Sequence, residues 1–237
     1  MFDMRRSATR TRAPSRRHYS DATRDKLLEA AGRAFAERGY SGATIREICK
    51  EASANVAAVN YYFKDKLALY TEVLTQMKRA ANVDQMRAAL DQEASPEEIL
   101  RAVIKARLRG LHGQKLPDWH FRIAAREFAQ PTPAMAQVID KVMRPIHDRV
   151  REVVGKIIGQ SPDHEQTRLC TYSVMGQMLL YVLAGPVLVQ LWPEMKMTPE
   201  QLDRVADHIA DFSLAYLHQV RASHKRPAQI ESARRHQ

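Results

Sequence analysis

The sequence has little cysteine, with two residues in the whole chain. Its two cysteines, Cys49 and Cys170, lie far apart and outside any Cys-x-x-Cys or Cys/His spacing. Neither a disulfide framework nor a zinc site is therefore expected, and a reducing compartment such as the cytoplasm fits. There is no glycine-rich phosphate loop and no histidine pair at the helical spacing of metal ligands. We expect no metal, no cofactor and no enzyme activity.

Glycine is also scarce, with nine residues in a chain of 237. No segment alternates apolar and polar residues in the way that a half-buried strand does. Alanine, leucine, methionine, arginine and glutamate are common, and all five favour helices. The composition therefore predicts an all-α fold.

One long segment, residues 169–193, contains no charged residue. It is long enough to cross a membrane, but Gly185 and Pro186 interrupt it, and Gln177 and Gln190 would lie in lipid. We expect a buried or subunit-contacting helix here, and no membrane partner.

The net charge of +10 is concentrated at the two ends of the chain. Residues 1–70 carry fourteen cationic and eight acidic side chains, a surplus of +6, and residues 221–237 carry five and one, a surplus of +4. Residues 71–220 are neutral. This division is typical of an N-terminal module that binds a polyanion, followed by a larger domain with another role.

Apolar periodicity, helix caps and helix breakers predict about nine helices. We expect a flexible basic arm at 1–20, a DNA-binding domain at 21–70, a larger domain at 71–220 and a flexible basic tail at 221–237. The predicted helices lie at about 21–38, 44–52, 55–63, 65–90, 96–112, 117–130, 133–159, 161–193 and 199–220.

The arm contains six arginines, for which two interpretations stay open. They enter a minor groove, or they add only salt-dependent nonspecific affinity. These residues are Arg5, Arg6, Arg10, Arg12, Arg16 and Arg17.

Two short helices joined by a few residues predict a helix-turn-helix, whose second helix enters the major groove of DNA. Thr44 and Glu47 have the spacing of a capping box for the first of these helices, and Asn55 is a suitable cap for the second. Val59 and Phe63 are four residues apart, so they share the face that packs onto the core.

The other face of the second helix has residue types that suit DNA. Ala57 and Ala58 are small enough for the backbone to approach the bases, and the amide of Asn60 can pair with adenine. Tyr61 and Tyr62 can donate hydrogen bonds to phosphates.

The run from Arg24 to Leu74, with GYSGATIREICKEASANVAAVNYYFKDKLALY at its centre, resembles the DNA-binding domain of the tetracycline-repressor (TetR) family of bacterial regulators. The matching features are the Phe-Ala-x-x-Gly-Tyr end of the first helix, Thr44, the Tyr-Tyr-Phe end of the third helix, and Lys66. The downstream segment REFAQPTPAMAQVIDKVMRPIHDRV resembles the C-terminal domain of one branch of that family, here called the CerR-type branch.

The resemblance implies which residues contact DNA. Thr44 and Arg46 would meet the backbone and the groove edge, and Tyr62 and Lys66 would clamp phosphates. The implied reading surface consists of Asn55, Ala57, Ala58, Asn60 and Tyr61. The chain departs from the family pattern at Ser53, where a turn glycine is usual, at Asn55, where Ser or Thr is common, and at Asn60, where an aromatic residue is frequent.

The larger domain is expected to hold a small-molecule effector in a pocket with apolar walls and a few polar groups. The candidate ligand-binding residues are Trp119, His120, Arg122, Arg126, His147, Tyr172, Met175, Met178 and Tyr181. The resemblance also implies that the last two helices pair with their copies in a homodimer. Leu202, Val205, Ile209, Phe212 and Tyr216 are the residues expected at that contact.

The sequence therefore predicts a homodimeric repressor that binds a palindromic operator and is released by a small molecule. Two alternatives remain open at this point. The first is an architectural protein that binds DNA without sequence preference, and the second is a helical metalloenzyme that uses His120, Glu127, His147 or His164.

Overall fold

A computed structural model describes residues 20–80, 82–110, 117 and 119–234, and the predicted arginine arm lies outside these residues. Within them the chain forms eleven α-helices and one π-helical turn, and no strand, which confirms the all-α prediction. The elements are α1 (Asp21–Gly42), α2 (Ile45–Glu51), α3 (Val56–Tyr62), α4 (Lys66–Ala80), α5 (Val83–Leu90), α6 (Pro96–Arg109), α7 (Trp119–Ala129), α8 (Pro133–Val138), the π-helical turn (Ile139–Met143), α9 (Arg144–Ile158), α10 (Glu165–Leu191) and α11 (Pro199–Arg234).

The first four helices surround an N-terminal core. Leu27, Leu28 and Phe35 of α1 have at most 1 % of their surface exposed, because their spacing places them on one helical face. Gly39 has a φ of 71°, so the regular helix ends at Arg38 as predicted, although the helical segment continues to Gly42. The same core holds the inward side chains of the next three helices, Ile48, Cys49, Ala58, Val59, Phe63, Leu69, Tyr70, Val73 and Leu74.

The remaining helices build a second, larger core. α6 lies centrally and packs against α5, α9, α10 and α11. This C-terminal core includes Leu100, Val103, Ile104, Val150, Val154, Ile157, Val174, Met178, Ala206 and Ile209.

Ion pairs line one side of the packing between α6 and α11. Arg101 pairs with Asp211 at 2.6 Å, and Arg109 pairs with Asp203 through two hydrogen bonds of 2.7 and 2.8 Å. These side chains are largely exposed, so the pairs fix the alignment of the two helices more than they stabilise the fold.

α7 connects the two cores. It belongs to the C-terminal part of the chain, yet Trp119 and Ile123 are buried in the N-terminal core beside α1. The contact is close because Gly32 of α1 has no side chain, and a Cβ atom there would lie 2.5 Å from the indole of Trp119.

The structure corrects two predicted helix boundaries. The helix expected at 65–90 is divided into α4 and α5, since Asn82 adopts a left-handed conformation with φ 52° and donates a hydrogen bond to the carbonyl of Ala106. The helix expected at 161–193 is present as α10, which continues through Gly185 and Pro186. α11 extends to Arg234, through most of the tail that was expected to be loose.

The helix expected at 133–159 is present as α8, the π-helical turn and α9 in direct succession. Pro145 has no backbone N–H, and the wider turn lies immediately before it. Within the described residues, no helix has the combination of length and apolar character that a membrane crossing requires.

Candidate nucleic-acid interface

Caps at both helix starts hold the helix-turn-helix. The hydroxyl of Thr44 accepts a hydrogen bond from the backbone N–H of Glu47 at 3.3 Å, and the carboxylate of Glu47 accepts one from the backbone N–H of Thr44 at 3.2 Å. The side-chain hydrogen bond with Thr44 is the main reason that the pKa of Glu47 lies below its usual value. Asn55 caps α3 by accepting a hydrogen bond from the N–H of Ala58 at 2.9 Å. Both predicted caps are therefore confirmed.

The turn between α2 and α3 depends on the conformation of one serine. Ser53 has a φ of 51°, in the left-handed region that glycine adopts at low cost and other residues do not. The resemblance implied a turn glycine at this position. Ser53 thus adopts the glycine-like backbone conformation in spite of its side chain.

α3 has one face in the core and one face exposed. Val59 and Phe63 are buried with Leu28, Phe35 and Ile48, as predicted from their spacing. Ala58 has no exposed surface and belongs to the N-terminal core. We therefore remove Ala58 from the expected reading surface.

The exposed face retains the other residues that were predicted to read DNA. Tyr61 is 61 % exposed, and its ring contacts that of Tyr62 edge to face at 5.0 Å between centroids. Of the other residues predicted to contact DNA, Thr44, Arg46, Asn55, Ala57 and Asn60 are also exposed.

The two predicted phosphate clamps contact backbone carbonyls of the same domain. The hydroxyl of Tyr62 donates a 2.7 Å hydrogen bond to the carbonyl of Ser20, immediately before α1. The ammonium of Lys66 lies 3.3 Å from the carbonyl of Ser41 and 4.8 Å from the ring centroid of Tyr40. These contacts position the two side chains at the end of α3 and the start of α4, and the sequence had no signal for them.

Four of the predicted effector contacts lie on α7, at the boundary with the N-terminal domain. Trp119 lies against α1 and donates a 3.2 Å hydrogen bond from its indole N–H to Glu29. His120 stacks on Trp119 at 3.7 Å, and burial lowers its pKa. Arg126 lies beside Gly39, and Arg122 is exposed.

These α7 residues therefore lie at the contact between the domains and not around the C-terminal core. The most buried polar group of this contact is Glu127, which the sequence suggested only as a possible metalloenzyme residue. Glu127 is 1 % exposed and accepts hydrogen bonds from Tyr70 at 2.6 Å and from the hydroxyl and N–H of Thr132 at 2.9 and 3.0 Å. A carboxylate on the apolar stripe of Trp119 and Ile123 was the signal that could have revealed it.

The other five predicted effector contacts lie between α9 and α10. His147 and Tyr172 face each other with ring centroids 5.5 Å apart, and Nε2 of His147 is buried with no hydrogen-bond partner among the described residues. Met178 is buried in the C-terminal core, and Met175 and Tyr181 pack partly buried against it. Met175, Met178 and Tyr181 are thus brought together at the C-terminal core, whereas Tyr172 is 62 % exposed on α10.

Metal chemistry has no support in the described residues. No three side chains of histidine, cysteine, aspartate or glutamate come together there as a metal-binding group. Cys49 and Cys170 are both buried thiols with raised pKa values, and burial is the main cause of both shifts.

The two domains match two known sequence families. Residues 27–73 match the family described as bacterial regulatory proteins, tetR family. Residues 96–217 match the C-terminal domain of the HTH-type transcriptional dual regulator CecR, so CecR is the correct name of the branch that the sequence resembled.

Curated relatives are also transcriptional regulators. The chain is 33 % identical over 84 residues to the probable HTH-type transcriptional regulator YttP of Bacillus subtilis, with 35 % of this chain and 41 % of YttP aligned. It is 34 % identical over 89 residues to the HTH-type transcriptional repressor NicS of Pseudomonas putida, with 38 % and 42 % aligned. These matches span about two fifths of each relative. The match to CecR of Shigella flexneri is longer, at 24 % identity over 71 % of this chain and 79 % of CecR.

Solved structures share the fold. The TetR family regulator PfmR of Thermus thermophilus aligns with a TM-score of 0.57 and 20 % identity, over 81 % of this chain and 95 % of PfmR. FadR of Bacillus subtilis, in complex with stearoyl-CoA, aligns with a TM-score of 0.58 and 18 % identity, over 81 % and 97 %. The family matches exclude the metalloenzyme alternative. The chain belongs to the TetR family of transcriptional regulators and carries a CecR-type C-terminal domain.

Proposed function

We propose that this regulator is a repressor that binds a palindromic operator in the cytoplasm as a homodimer and is released by a small-molecule effector. The observation that carries the proposal is the two-sided character of α3. Val59 and Phe63 hold the helix on the N-terminal core, while Asn60 and Tyr61 are exposed on the opposite side. A rigidly mounted helix with an exposed polar and aromatic face suits the reading of a major groove.

Direct base reading is assigned to Asn60, since an amide can make a bidentate pair with adenine. Thr44, Arg46, Tyr61, Tyr62 and Lys66 are assigned to the DNA backbone, where hydroxyl and cationic groups meet phosphates. Asn55 and Ala57 complete the proposed surface at the start of α3.

A palindromic operator requires two copies of α3 about 34–36 Å apart, one turn of DNA. Large apolar residues that are exposed on both α10 and α11 support a dimer that would hold them. Gln177 of α10 bonds to Ser213 of α11 at 3.1 Å, so the two helices present their outer faces together. The large exposed apolar residues of these faces are Leu169, Tyr172, Leu180, Val187, Leu191, Phe212 and Tyr216.

The expected dimer contact on α11 is smaller than the sequence suggested. Val205 and Ile209 are buried in the chain's own C-terminal core, Leu202 is also buried, and only Phe212 and Tyr216 of the expected set are exposed. A face that carries aromatic residues at 64 % and 49 % exposure is typical of an interface.

Effector response is proposed to act through α7. This helix packs on α1 at Gly32 and on α4 through the Tyr70 and Glu127 pair, while the domain behind it holds the proposed effector site. An effector that favours a different placement of α7 would change the spacing of the two α3 helices and shift the population away from DNA binding. The relative NicS is named a repressor, and FadR holds stearoyl-CoA, which support repression and a small-molecule effector respectively.

Footprinting on the DNA upstream of the protein's own gene tests the proposal. A sequence-specific repressor protects an inverted repeat, with two half-sites about one helical turn apart. Uniform protection with a steep salt dependence would instead support the architectural alternative. Expression of a reporter from the protected promoter, with and without the regulator, separates repression from activation.

A further inference from the structure

Val56 is an exposed apolar residue at the start of α3, the helix that is proposed to enter the major groove. Its side chain is 43 % exposed, although valine is among the residue types that are most often buried. Between residues 20 and 76, all of which are described, Tyr61 is the only other large apolar residue that is exposed. Tyr61 also lies on α3. The large exposed apolar side chains of the N-terminal domain are therefore concentrated on this one helix.

Val56 shares a face of α3 with Asn60, the proposed reader of adenine. The two residues are four apart, so their side chains lie one above the other along the helix. Asn60 and Ala57 are exposed as well, whereas Ala58 and Val59 lie in the N-terminal core. Val56 thus belongs to the side of α3 that is available to DNA.

Packing within the chain does not account for a valine at this position. Among the described residues, Val56 belongs neither to the N-terminal core nor to the partly buried residues that pack against it. Its helix propensity is lower than that of alanine, which occupies the next two positions. An isolated exposed valine is common on protein surfaces, but this one lies on the face that carries Asn60. A partner that covers the side chain explains the residue type.

The base edges in the major groove offer an apolar side chain one kind of partner. Guanine presents two acceptors, cytosine a donor, and adenine an acceptor and a donor, whereas thymine carries a methyl group beside its acceptor. Contact between valine and this methyl group removes two apolar surfaces from water. Contact with any other base edge would cover a polar group without giving it a hydrogen bond.

We propose that Val56 reads the methyl group of a thymine that lies one or two base pairs from the adenine read by Asn60. Four residues rise about 6 Å along a helix, and neighbouring base pairs are about 3.4 Å apart, which sets this spacing. The inference rests on the proposed operator binding and adds Val56 to it as a residue that determines sequence specificity.

Operator duplexes in which single thymines are replaced by uracil test the proposal. Each thymine in one half-site of the protected inverted repeat is replaced in turn by deoxyuridine, which lacks only the methyl group. The wild-type protein should bind one of these duplexes about fourfold more weakly, since a methyl group left in water costs about 0.8 kcal/mol. 5-Bromouracil at that position should restore the affinity, because bromine and a methyl group are similar in size. A loss below about twofold at every thymine within two base pairs of the adenine would overturn the proposal.

Val56→Ala removes the methyl groups that would contact thymine. Both half-sites lose the contact in the proposed dimer, so the unmodified operator should be bound about fifteenfold more weakly, the square of the loss in one half-site. Replacement of the thymine by uracil should then change the affinity of this variant by less than about twofold. A uracil effect that persists in Val56→Ala would show that another residue reads the methyl group, and the proposal would be wrong.

Asn60→Ala is the matched control on the same face of α3. It should lose the preference for adenine and still bind the uracil duplex about fourfold more weakly than the thymine duplex. Thermal unfolding checks the fold of Val56→Ala, whose Tm should equal or exceed that of the wild type, because the residue is exposed and alanine favours helix. A lower Tm, with equally weakened binding to the thymine and uracil duplexes, would show that Val56 has a purely structural role.

The outcomes separate this inference from the proposed function. A protein that protects an inverted repeat but binds the thymine and uracil duplexes equally retains the operator and loses the Val56 contact. A protein that distinguishes thymine from uracil through Val56 but activates its promoter retains the Val56 contact and loses the proposed repression. A protein that binds every duplex equally loses both.

Discussion

The hydroxyl of Tyr70 on α4 donates a 2.6 Å hydrogen bond to the carboxylate of Glu127 on α7, and each residue is only 1 % exposed. The bond joins the helix that leaves the DNA-binding domain to the helix that packs on α1. Burial, followed by the bond to Glu127, raises the pKa of the Tyr70 phenol above its ordinary value. The phenol therefore stays a donor through the physiological range.

Replacing Tyr70 by phenylalanine should destabilise the protein by about 1–3 kcal/mol, because a buried carboxylate loses one of its donors. Chemical denaturation measures this loss. Tyr40→Phe is a suitable control, since Tyr40 also packs on the ring of Tyr70 and is a tyrosine of the same domain. Equal stability of Tyr70→Phe and the wild type would mean that Glu127 needs only Thr132.

Gly32→Ala should lower the free energy of unfolding by about 1–3 kcal/mol, because the new methyl group overlaps the Trp119 indole. Thermal denaturation provides the measurement. In the double variant Gly32→Ala/Trp119→Phe, the smaller ring should recover part of the loss relative to the sum of the single variants. If Gly32→Ala instead raises the Tm, as alanine does at an open helical position, the close contact between α1 and α7 is absent.

Ser53→Gly should stabilise the protein by about 0.5–1 kcal/mol, because glycine adopts the φ of 51° without the steric cost that serine has. The adjacent variant Ala54→Gly is the control and should reduce stability, since Ala54 has no positive φ to relieve. Urea titrations of the three proteins compare them directly. A loss of stability in Ser53→Gly would indicate that the serine side chain contributes more than its backbone costs.

Asn60→Ala should cost about 1–3 kcal/mol in operator affinity, mainly at one base position, because the amide is the proposed reader of adenine. The effect is measured as the affinity of each protein for a set of operators in which every base position is changed in turn. Tyr61→Phe is the contrasting variant and should weaken binding similarly for all sequences, as expected for a phosphate contact. If Asn60→Ala keeps the base preference of the wild type, Asn60 does not read a base and is only a solvent-exposed residue.

Phe212→Asp should weaken the proposed dimer about a hundredfold or more, because burial of an unpaired carboxylate costs several kcal/mol. Light scattering over a dilution series gives the dissociation constant. Phe128→Asp is the control. It makes the same substitution at an exposed phenylalanine of α7 and should leave the dimer intact. A Phe212→Asp variant that remains dimeric would place the interface on another face.

Several local features could be predicted from the sequence because they depend on neighbouring residues. The Thr44 and Glu47 box, the Asn55 cap and the Ser95 start of α6 each involve atoms three residues apart. The opposite faces of α3 also follow from helical spacing alone. The exception is Ala58, whose burial depends on how deeply α3 sits in its core.

Sequence patterns were weaker guides to the candidate effector site. Trp119 and His120 have the residue types of a ligand pocket, but packing places them against α1.

The sequence by itself determined the helical class, the helix-turn-helix with its caps, and the family, since these depend on spacing over a few residues and on residue types along the chain. Tertiary structure decided which helices meet. The packing of Trp119 on Gly32 and the hydrogen bond between Tyr70 and Glu127 each join segments that are far apart in the sequence. Helical periodicity defines a face, but only the neighbouring helices decide what that face contacts.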